Sequence, residues 1–538
     1  MIFLSVISKS VVRPRSKRVL ASCFLFCGAS LTAVYYAMPF LRLEGYMNGY
    51  LAYFTDDLFY YLVIARNTVN GAFSSFDTIH LTNGYHPLWQ VFLTLLYAAV
   101  PSEAFLIGTL LVVLFTLNLA ATWLCWRLLG MAGVSPLARL VGTIVFHVSC
   151  LTMFRTGMEV ALAIPLCLLT MLLTRSVLIR PKSLHWVLLG FSHALMILAR
   201  LDTVLLSVLL LLLTAIELLR ARMGTGVLLR GAALFAFGFL PLIGYLLANL
   251  VYFGAVLPLS VQAKQLKDGL FFSANPLTGL IPTLKKPLFP TIAIIVEAVG
   301  FLTMLISWRC KPPFVRIVFG VALLFPVLFF TMISLASDWF LFYRYYYPLA
   351  LLMPFGTALI IDFALEQTPL RLLMGAPLRA IIVTTAVVFA LGILCISHLS
   401  ILPSRRSHFI AANRLAEFGH THPGCYAMGD RAGLTAWLLG RPVIQMEGLV
   451  ADRYMLQAIA RQEDLIEVLR HYQVDYYIAT QCDWERGCYL TSEPKLAESG
   501  PNSPKMIGRF CDQPVFSADD GQPPGPRKVS SFVFTVRR

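Results

Sequence analysis

Charged residues are scarce in this chain of 538 residues. Only 13% of its residues are Asp, Glu, Lys or Arg, whereas a soluble globular protein has roughly 25%. Hydrophobic residues make up 58% of the chain, and the mean hydropathy is +0.74. This composition excludes an ordinary soluble protein and predicts an integral membrane protein.

Motifs of several other classes are also missing from the sequence. We find no RNA- or DNA-binding motif, internal repeat or low-complexity tract. The net charge of +15 is therefore weak support for nucleic acid, since Lys and Arg in a membrane protein mainly report orientation. Four of the 11 cysteines lie in the polar C-terminal part, without the His-rich spacing of a zinc site. Cys482 and Cys488 could close a short disulfide loop, and unpaired thiols are the alternative.

Long apolar runs predict about 11 membrane-spanning helices, because roughly 20 residues cross a bilayer core. The run 87–100 is too short and predicts a juxtamembrane helix at the interface. A basic segment, 1–18, precedes the first run; it favours an uncleaved first helix with a cytoplasmic N-terminus over a cleaved signal peptide. The predicted spans are 19–41, 104–126, 139–154, 158–174, 186–200, 203–219, 229–251, 290–308, 315–336, 345–364 and 379–401.

The distribution of Lys and Arg sets the orientation of these spans. With odd-numbered helices running outward, the inner segments carry 18 Lys and Arg and the outer ones nine, as the positive-inside rule requires. The transmembrane domain is then 1–402, with outer loops 42–103 and 252–289. The tail 403–538 alternates strand-like and helix-like stretches, among them "CYAMGD", "PVIQM", "DYYIA" and "SFVFTV", and predicts an extracytoplasmic α/β domain.

On this topology the polar side chains collect at the outer face, which indicates a cavity that opens outward. Ionisable residues at membrane depth usually mark sites or pathways. Each also has a structural interpretation: a helix-end anchor, a lipid headgroup contact or an aromatic belt. The adjacent pair Asp56 and Asp57 is the hardest to explain structurally, since neighbouring acids repel when both are ionised. The other candidates are Asn83, Tyr85, His86, Arg155, Glu159, Arg200, Asp202, Lys264, Arg344 and Tyr345.

This set of residue types fits one kind of reaction. A carboxylate can take a proton from an acceptor hydroxyl, and Lys and Arg can hold a phosphate as it leaves. A membrane location suits a substrate whose phosphate is attached to a lipid. Sugar transfer from a polyprenyl-phosphate donor satisfies all three requirements.

The chain also resembles the GT-C superfamily of polytopic glycosyltransferases, which includes the protein O-mannosyltransferases, lipid A aminoarabinose transferases and mycobacterial arabinofuranosyltransferases. The first-loop block "DDLFYYLVIARNTVNGAFSSFDTIHLTNGYHPLW", 56–89, is similar to the signature of that superfamily. Shorter blocks follow in the same order: "GMEVAL", "LARLD", "YFGAVLPLSVQAK", "YRYYYPL" and "GDRAGLTAWLLGRPVIQMEGLV".

The resemblance implies a GT-C fold with juxtamembrane helices and an inverting transferase in a bacterial inner membrane. It implies Asp56 or Asp57 as general base, Glu159 as a second acid, and Lys264 and Arg344 as phosphate ligands. The acceptor would be an envelope glycan, lipid or protein. Membrane lipids would be a further partner. The resemblance implies no certain cofactor and leaves open a divalent cation at Asp56 and Asp57.

Two other classes of protein compete with this interpretation. A transporter or flippase of a lipid-linked or anionic solute would also carry cavity charges, but it commonly shows repeated halves and broken paired helices. A scaffold without chemistry would use the acids structurally. Both are disfavoured by the first-loop block and by charges that collect on one side.

Overall fold

Most of the predicted transmembrane and tail segments are present in the computed structural model. It describes residues 49–100, 102–266, 299–300, 302, 312–337, 339, 341–366, 406–495, 503–519 and 530–536. Several predictions fall wholly or largely outside these residues: the spans 19–41, 290–308 and 379–401, much of the second outer loop, and the domain boundary after residue 402.

Helices make up the first part of the described chain. The predicted short helix at 87–100 is observed as α2, while its place at a membrane interface stays a prediction. The helices are α1 (Asp56–Val69), α2 (Pro87–Ala99), α3 (Glu103–Met131), α4 (Pro136–Phe154), α5 (Val160–Ile179), α6 (Ser183–Ala199), α7 (Val204–Arg220), α8 (Thr225–Gly238), α9 (Leu240–Phe253), α10 (Leu259–Gln265), α11 (Pro313–Ala336) and α12 (Tyr347–Glu366).

Five helical stretches in the described residues are long and apolar enough to cross a membrane. The bent pair α8 and α9, which meet at 48°, adds a sixth if the two form one span. The apolar helices indicate a membrane protein, but the predicted number of 11 spans is not confirmed. Over the predicted spans 139–154 and 186–200, the structure has the shorter apolar stretches Pro136–Leu151 and Ser183–Ala199. The five stretches are Glu103–Met131, Val160–Ile179, Leu201–Arg220, Pro313–Ala336 and Tyr343–Phe363.

Local sequence explains where several of these helices begin and end. Pro87 opens α2, where its missing N–H costs nothing. Ser135 caps α4, since its side-chain oxygen accepts from the Ala138 N–H at 3.3 Å. Gly254 ends α9 in the left-handed conformation, with φ +65°. Asp56 and Asp57 stand in the first turn of α1, where the helix dipole favours negative charge.

The described residues of the C-terminal part form two sheets. The larger has the order β2-β1-β3-β8-β7, with β1 parallel to β2 and β3 and with the other pairs antiparallel; the smaller is antiparallel β4-β5-β6. Helices α13 (Ala432–Leu439), α14 (Arg453–Arg461) and α15 (Leu465–His471) connect the first strands. The strands are β1 (Tyr426–Met428), β2 (Val443–Gln445), β3 (Tyr476–Ala479), β4 (Asp483–Glu485), β5 (Cys488–Glu493), β6 (Met506–Phe510), β7 (Phe516–Asp519) and β8 (Ser530–Thr535).

The four strand-like stretches of the tail are observed as β1, β2, β3 and β8. The smaller sheet was not predicted. It contains a disulfide between Cys488 and Cys511, which ties β5 to the end of β6, whereas Cys482 is a thiol. The short loop between Cys482 and Cys488 is therefore closed by the hairpin of β4 and β5 and not by a disulfide.

The first loop and the C-terminal part are packed against each other. The edge of the His80 ring meets Tyr472 at 5.1 Å between centroids. Leu259 and Ala263 of α10 form a small apolar cluster with Leu456. These contacts bring the first loop, α10 and the C-terminal part together around one cleft.

Candidate functional site

A cleft of about 520 Å³, measured out to open solvent, lies where these parts meet. Its walls come from α1, the end of the first loop, the turn before α5, α10, the segment before α12 and the C-terminal part. The residues around it are Asp57, Tyr60, Tyr61, Ile64, Gly84, Tyr85, His86, Met158, Glu159, Ser260, Lys264, Arg344, Tyr345, Leu449 and Val450.

One acid and two cations occupy one side of this cleft. The carboxylate of Asp57 forms an ion pair with Arg344, and the Arg344 guanidinium lies 5.4 Å from the centre of the Tyr345 ring. Lys264 donates a hydrogen bond from Nζ to the Tyr345 hydroxyl at 2.8 Å. The two cations thus flank one tyrosine beside one carboxylate. Such a set can take up a proton and bind an anionic group.

A second acid, Glu159, is fixed by buried partners behind the cleft wall. Arg200 binds its carboxylate at 2.5 Å, and the Tyr61 hydroxyl donates to it at 3.3 Å. Arg200 also binds Asp202 at 2.9 Å and is itself 1% exposed. Arg200 and Asp202 do not line the cleft. Arg200 holds Glu159 in place and offsets its charge, and Asp202 fixes Arg200 from the other side.

His86 lies in the cleft in a single tautomeric state. Its Nδ1 accepts from the Leu201 N–H at 3.2 Å, so the proton of the neutral ring is on Nε2, which lies 3.7 Å from a Glu159 oxygen. Burial lowers the pKa of His86 to about 4, although the Glu159 charge opposes this shift. The imidazole is therefore neutral at physiological pH, and its Nε2–H lies on the side of Glu159.

Asp56 has surroundings quite unlike those of Asp57. Its two carboxylate oxygens accept from the Gly433 N–H at 3.0 Å and the Leu434 N–H at 2.8 Å, at the start of α13. Burial raises the pKa of Asp56 to about 7, against the Leu434 hydrogen bond, which lowers it. Asp56 is not among the residues around the cleft, and its role as general base stays a prediction.

The structure brings seven of the twelve predicted site residues to the cleft: Asp57, Tyr85, His86, Glu159, Lys264, Arg344 and Tyr345. Of the others, Asn83 accepts the Leu259 N–H at 3.0 Å and so holds α10 against the first loop. Arg155 is buried with its guanidinium 5.2 Å from the centre of the Tyr53 ring. These two residues build the site from behind, as Arg200 and Asp202 do.

Some cleft residues were not singled out from the sequence. Tyr60 and Tyr61 lie in the aromatic run after the two acids, and this run was the only available signal for them. Leu449 and Val450 come from the C-terminal part, and no local pattern marks two aliphatic residues as a cleft wall.

The two adjacent acids do not present a shared metal site. One carboxylate faces backbone N–H groups and the other faces Arg344. In the part of the chain that the structure describes, no group of three or more His, Cys, Asp or Glu side chains could hold a metal ion. A divalent cation at this pair does not fit the observed geometry.

No family model and no curated protein matches the chain. Several solved structures match the chain, two of them as follows. Archaeal oligosaccharyltransferase AglB from Archaeoglobus fulgidus, in complex with an inhibitory peptide and a dolichol-phosphate, gives a TM-score of 0.47 at 11% identity, over 85% of this chain and 69% of that one. The Archaeoglobus fulgidus oligosaccharyltransferase tethered to an acceptor peptide gives 0.44, with the same identity and coverage. Likenesses this distant do not establish a function for the chain.

Proposed function

We propose that the protein is an integral membrane glycosyltransferase. It transfers a sugar, with inversion, from a polyprenyl-phosphate donor to a glycan, lipid or protein acceptor on the outer side of a bacterial inner membrane. The observation that carries this proposal is the position of Asp57 in one cleft with two cations, Lys264 and Arg344. The first-loop block that resembles the GT-C signature supplies this acid.

Asp57 is the general base in this proposal. An acceptor hydroxyl gives its proton to the Asp57 carboxylate, and its oxygen forms a bond to the anomeric carbon of the sugar. The bond from that carbon to the phosphate oxygen breaks, and its electron pair leaves with the polyprenyl phosphate. Lys264 and Arg344 bind the phosphate and stabilise the charge that develops on it.

The ion pair between Asp57 and Arg344 sets the order in which the two substrates bind. While Arg344 binds Asp57, the guanidinium occupies the carboxylate and keeps it from an acceptor hydroxyl. A donor phosphate competes for the Arg344 guanidinium, and Asp57 is then available to the acceptor. The donor would bind first and the acceptor second.

The other polar groups of the cleft orient the sugar. His86 offers a fixed Nε2–H donor, and Tyr345, held by Lys264, presents an aromatic face on which a sugar ring can stack. Glu159 keeps His86 and Tyr61 in place from behind.

Mass spectrometry of envelope glycans and lipids tests this function. A strain that lacks the gene should lack one glycosylated product, and the wild-type gene should restore it. Asp57→Asn should restore at most about one hundredth of it, since general base catalysis contributes about 10²–10⁴-fold. Asn70→Ala, an exposed change at the C-cap of the same helix, is the matched control and should restore the product fully. An unchanged set of glycans and lipids in the deletion strain would contradict the proposal.

A further inference from the structure

Helix α13 of the C-terminal part lacks a cap of its own at its N-terminus. Its N-cap residue is Arg431, which has a left-handed backbone with φ +65° and makes no side-chain capping bond. The first N–H groups of a helix need acceptors from elsewhere, and they carry partial positive charge. Asp56 of α1 meets both needs, since its carboxylate accepts from Gly433 and Leu434.

The other end of α13 is held by the other end of α1. Arg66 donates from Nη1 to the Trp437 carbonyl at 3.0 Å and from Nη2 to the Ala436 carbonyl at 3.1 Å. Its guanidinium also lies 5.0 Å from the centre of the Trp437 ring. Carbonyls in the last turn of a helix carry partial negative charge, so a cation is favoured there.

The geometry of the two helices matches this arrangement. Asp56 and Arg66 are ten positions apart on α1, or about 15 Å along its axis at 1.5 Å per residue. The eight residues of α13 span about 12 Å by the same rise. Phe59 packs against Trp437 between the two charged ends, at 6.3 Å between ring centroids. Gly433 permits the close approach, because a Cβ there would lie 2.9 Å from the Asp56 carboxylate.

The position of α13 sets one wall of the cleft. The chain passes from α13 through β2 to Gln445, whose Oε1 accepts from the N–H groups of Glu447 at 3.2 Å and Leu449 at 3.0 Å. Leu449 and Val450 then line the cleft. The Leu449 carbonyl lies directly against Gly84 of the first loop, where no side chain would fit.

We infer that Asp56 and Arg66 are positioning residues. They bind the two ends of α13 and thereby hold the C-terminal part in place as a wall of the cleft. The neighbouring acids thus have separate roles. Asp57 lies in the cleft, and Asp56 lies where α1 contacts α13. We call this contact between α1 and α13 the joint. The inference concerns how the two parts are held together, and it does not depend on sugar transfer.

Amide hydrogen exchange of the full-length protein in lipid nanodiscs tests this inference. Asp56→Ala removes both acceptors, and we expect about tenfold faster exchange in 433–439 together with faster exchange in 446–450. Arg66→Ala should produce a similar change that is strongest in 436–440. Asn70→Ala, at the exposed C-cap of the same helix, is the matched control. Strands β3 and β5 should exchange at the wild-type rate in every variant.

Conservative changes separate a positioning role from a general requirement for folding. Asp56→Asn keeps one carbonyl oxygen as acceptor and should give an intermediate exchange rate, while the strands of both sheets stay protected. Two results would overturn the inference. One is unchanged exchange of 433–450 in both Asp56→Ala and Arg66→Ala. The other is equally faster exchange throughout the C-terminal part, which would show a folding defect. Since no sugar is involved, neither result bears on the transferase proposal.

Discussion

The charged side chains on the two faces of α1 have different kinds of partner. On the cleft face, Asp57 meets the side-chain cation of Arg344, for which the proposed donor phosphate would compete. On the joint face, Asp56 and Arg66 meet backbone groups at the ends of α13, which no ligand can displace while the helix is intact. Successive residues on a helix point about 100° apart, so two adjacent acids can serve two faces.

This difference explains how a doubled acid can be useful in so apolar a chain. The ion pair in the cleft can change partners, and such an ion pair suits catalysis. The hydrogen bonds from the joint residues to backbone groups of α13 do not change partners, and such bonds suit the assembly of the two parts of the chain. Substitutions on the two faces should therefore change different measurements.

The largest effect is expected at Glu159, a buried acid of the cleft. Glu159→Ala removes the acceptor of hydrogen bonds from Arg200 and from the Tyr61 hydroxyl, and the two losses together should cost about 2–4 kcal/mol of stability. The yield of monodisperse protein and the thermal unfolding midpoint in detergent measure this loss. Glu159→Gln, which keeps an acceptor for Arg200, should lose less. Equal stability of Glu159→Ala and the wild-type protein would contradict a stabilising role for these hydrogen bonds.

A smaller effect is expected at Lys264 of the cleft face. Lys264→Ala removes a charged hydrogen-bond donor worth about 1.5–3 kcal/mol, so the apparent KM for the donor should rise about tenfold to 100-fold. Lys264→Arg keeps the charge and should retain much of the affinity. Exchange of α13 should not change in either variant. A normal KM in Lys264→Ala would remove this residue from the phosphate site.

On the joint face, Gly433→Ala should separate the two helices. The added methyl group would clash with the Asp56 backbone carbonyl oxygen and lie 2.9 Å from the Asp56 carboxylate, and overpacking of this kind costs about 1–3 kcal/mol. We expect faster amide exchange in 433–439, while the ionisable side chains of the cleft keep their protonation states. Gly226→Ala, where a Cβ has open space, is the control and should be neutral. Wild-type exchange in Gly433→Ala would show that the helices are not in close contact.

The smallest effect is a pH dependence from His86. Its pKa in the folded protein is lowered to about 4, so stability from its neutral form is present above pH 6.5 and is lost as the pH falls from 6.5 toward 4. The loss should be roughly 1 kcal/mol at pH 5.5. Between pH 7.5 and 5.5, the unfolding midpoint of His86→Gln should shift less than that of the wild-type protein. Identical shifts in both proteins would contradict burial of a neutral His86.

Local chemistry made some of this structure predictable. The short helix α2 follows from its Pro start and limited length, and β1, β2, β3 and β8 follow from short apolar runs between turns. Side chains such as Asp57, His86 and Lys264 were predicted to share a site, because polar groups on one side of a membrane protein tend to collect. The structure places these three in one cleft.

Other features depend on contacts between distant parts of the chain. Nothing local to Asp56 shows that it will cap a helix 377 positions away. Leu449 and Val450 resemble any buried aliphatic residues until the docking of the C-terminal part is known. The pairing of Cys488 with Cys511 depends on the register of β5 against β6, which cysteine spacing alone does not give.

The most direct test places the two acids side by side in one assay. Sugar transfer and amide exchange of 433–439 are measured in membranes and nanodiscs for Asp57→Asn and Asp56→Ala. We predict that Asp57→Asn abolishes transfer and leaves the exchange at the wild-type rate, while Asp56→Ala accelerates the exchange. Transfer at the wild-type rate by Asp57→Asn would contradict the assignment of Asp57 as the base.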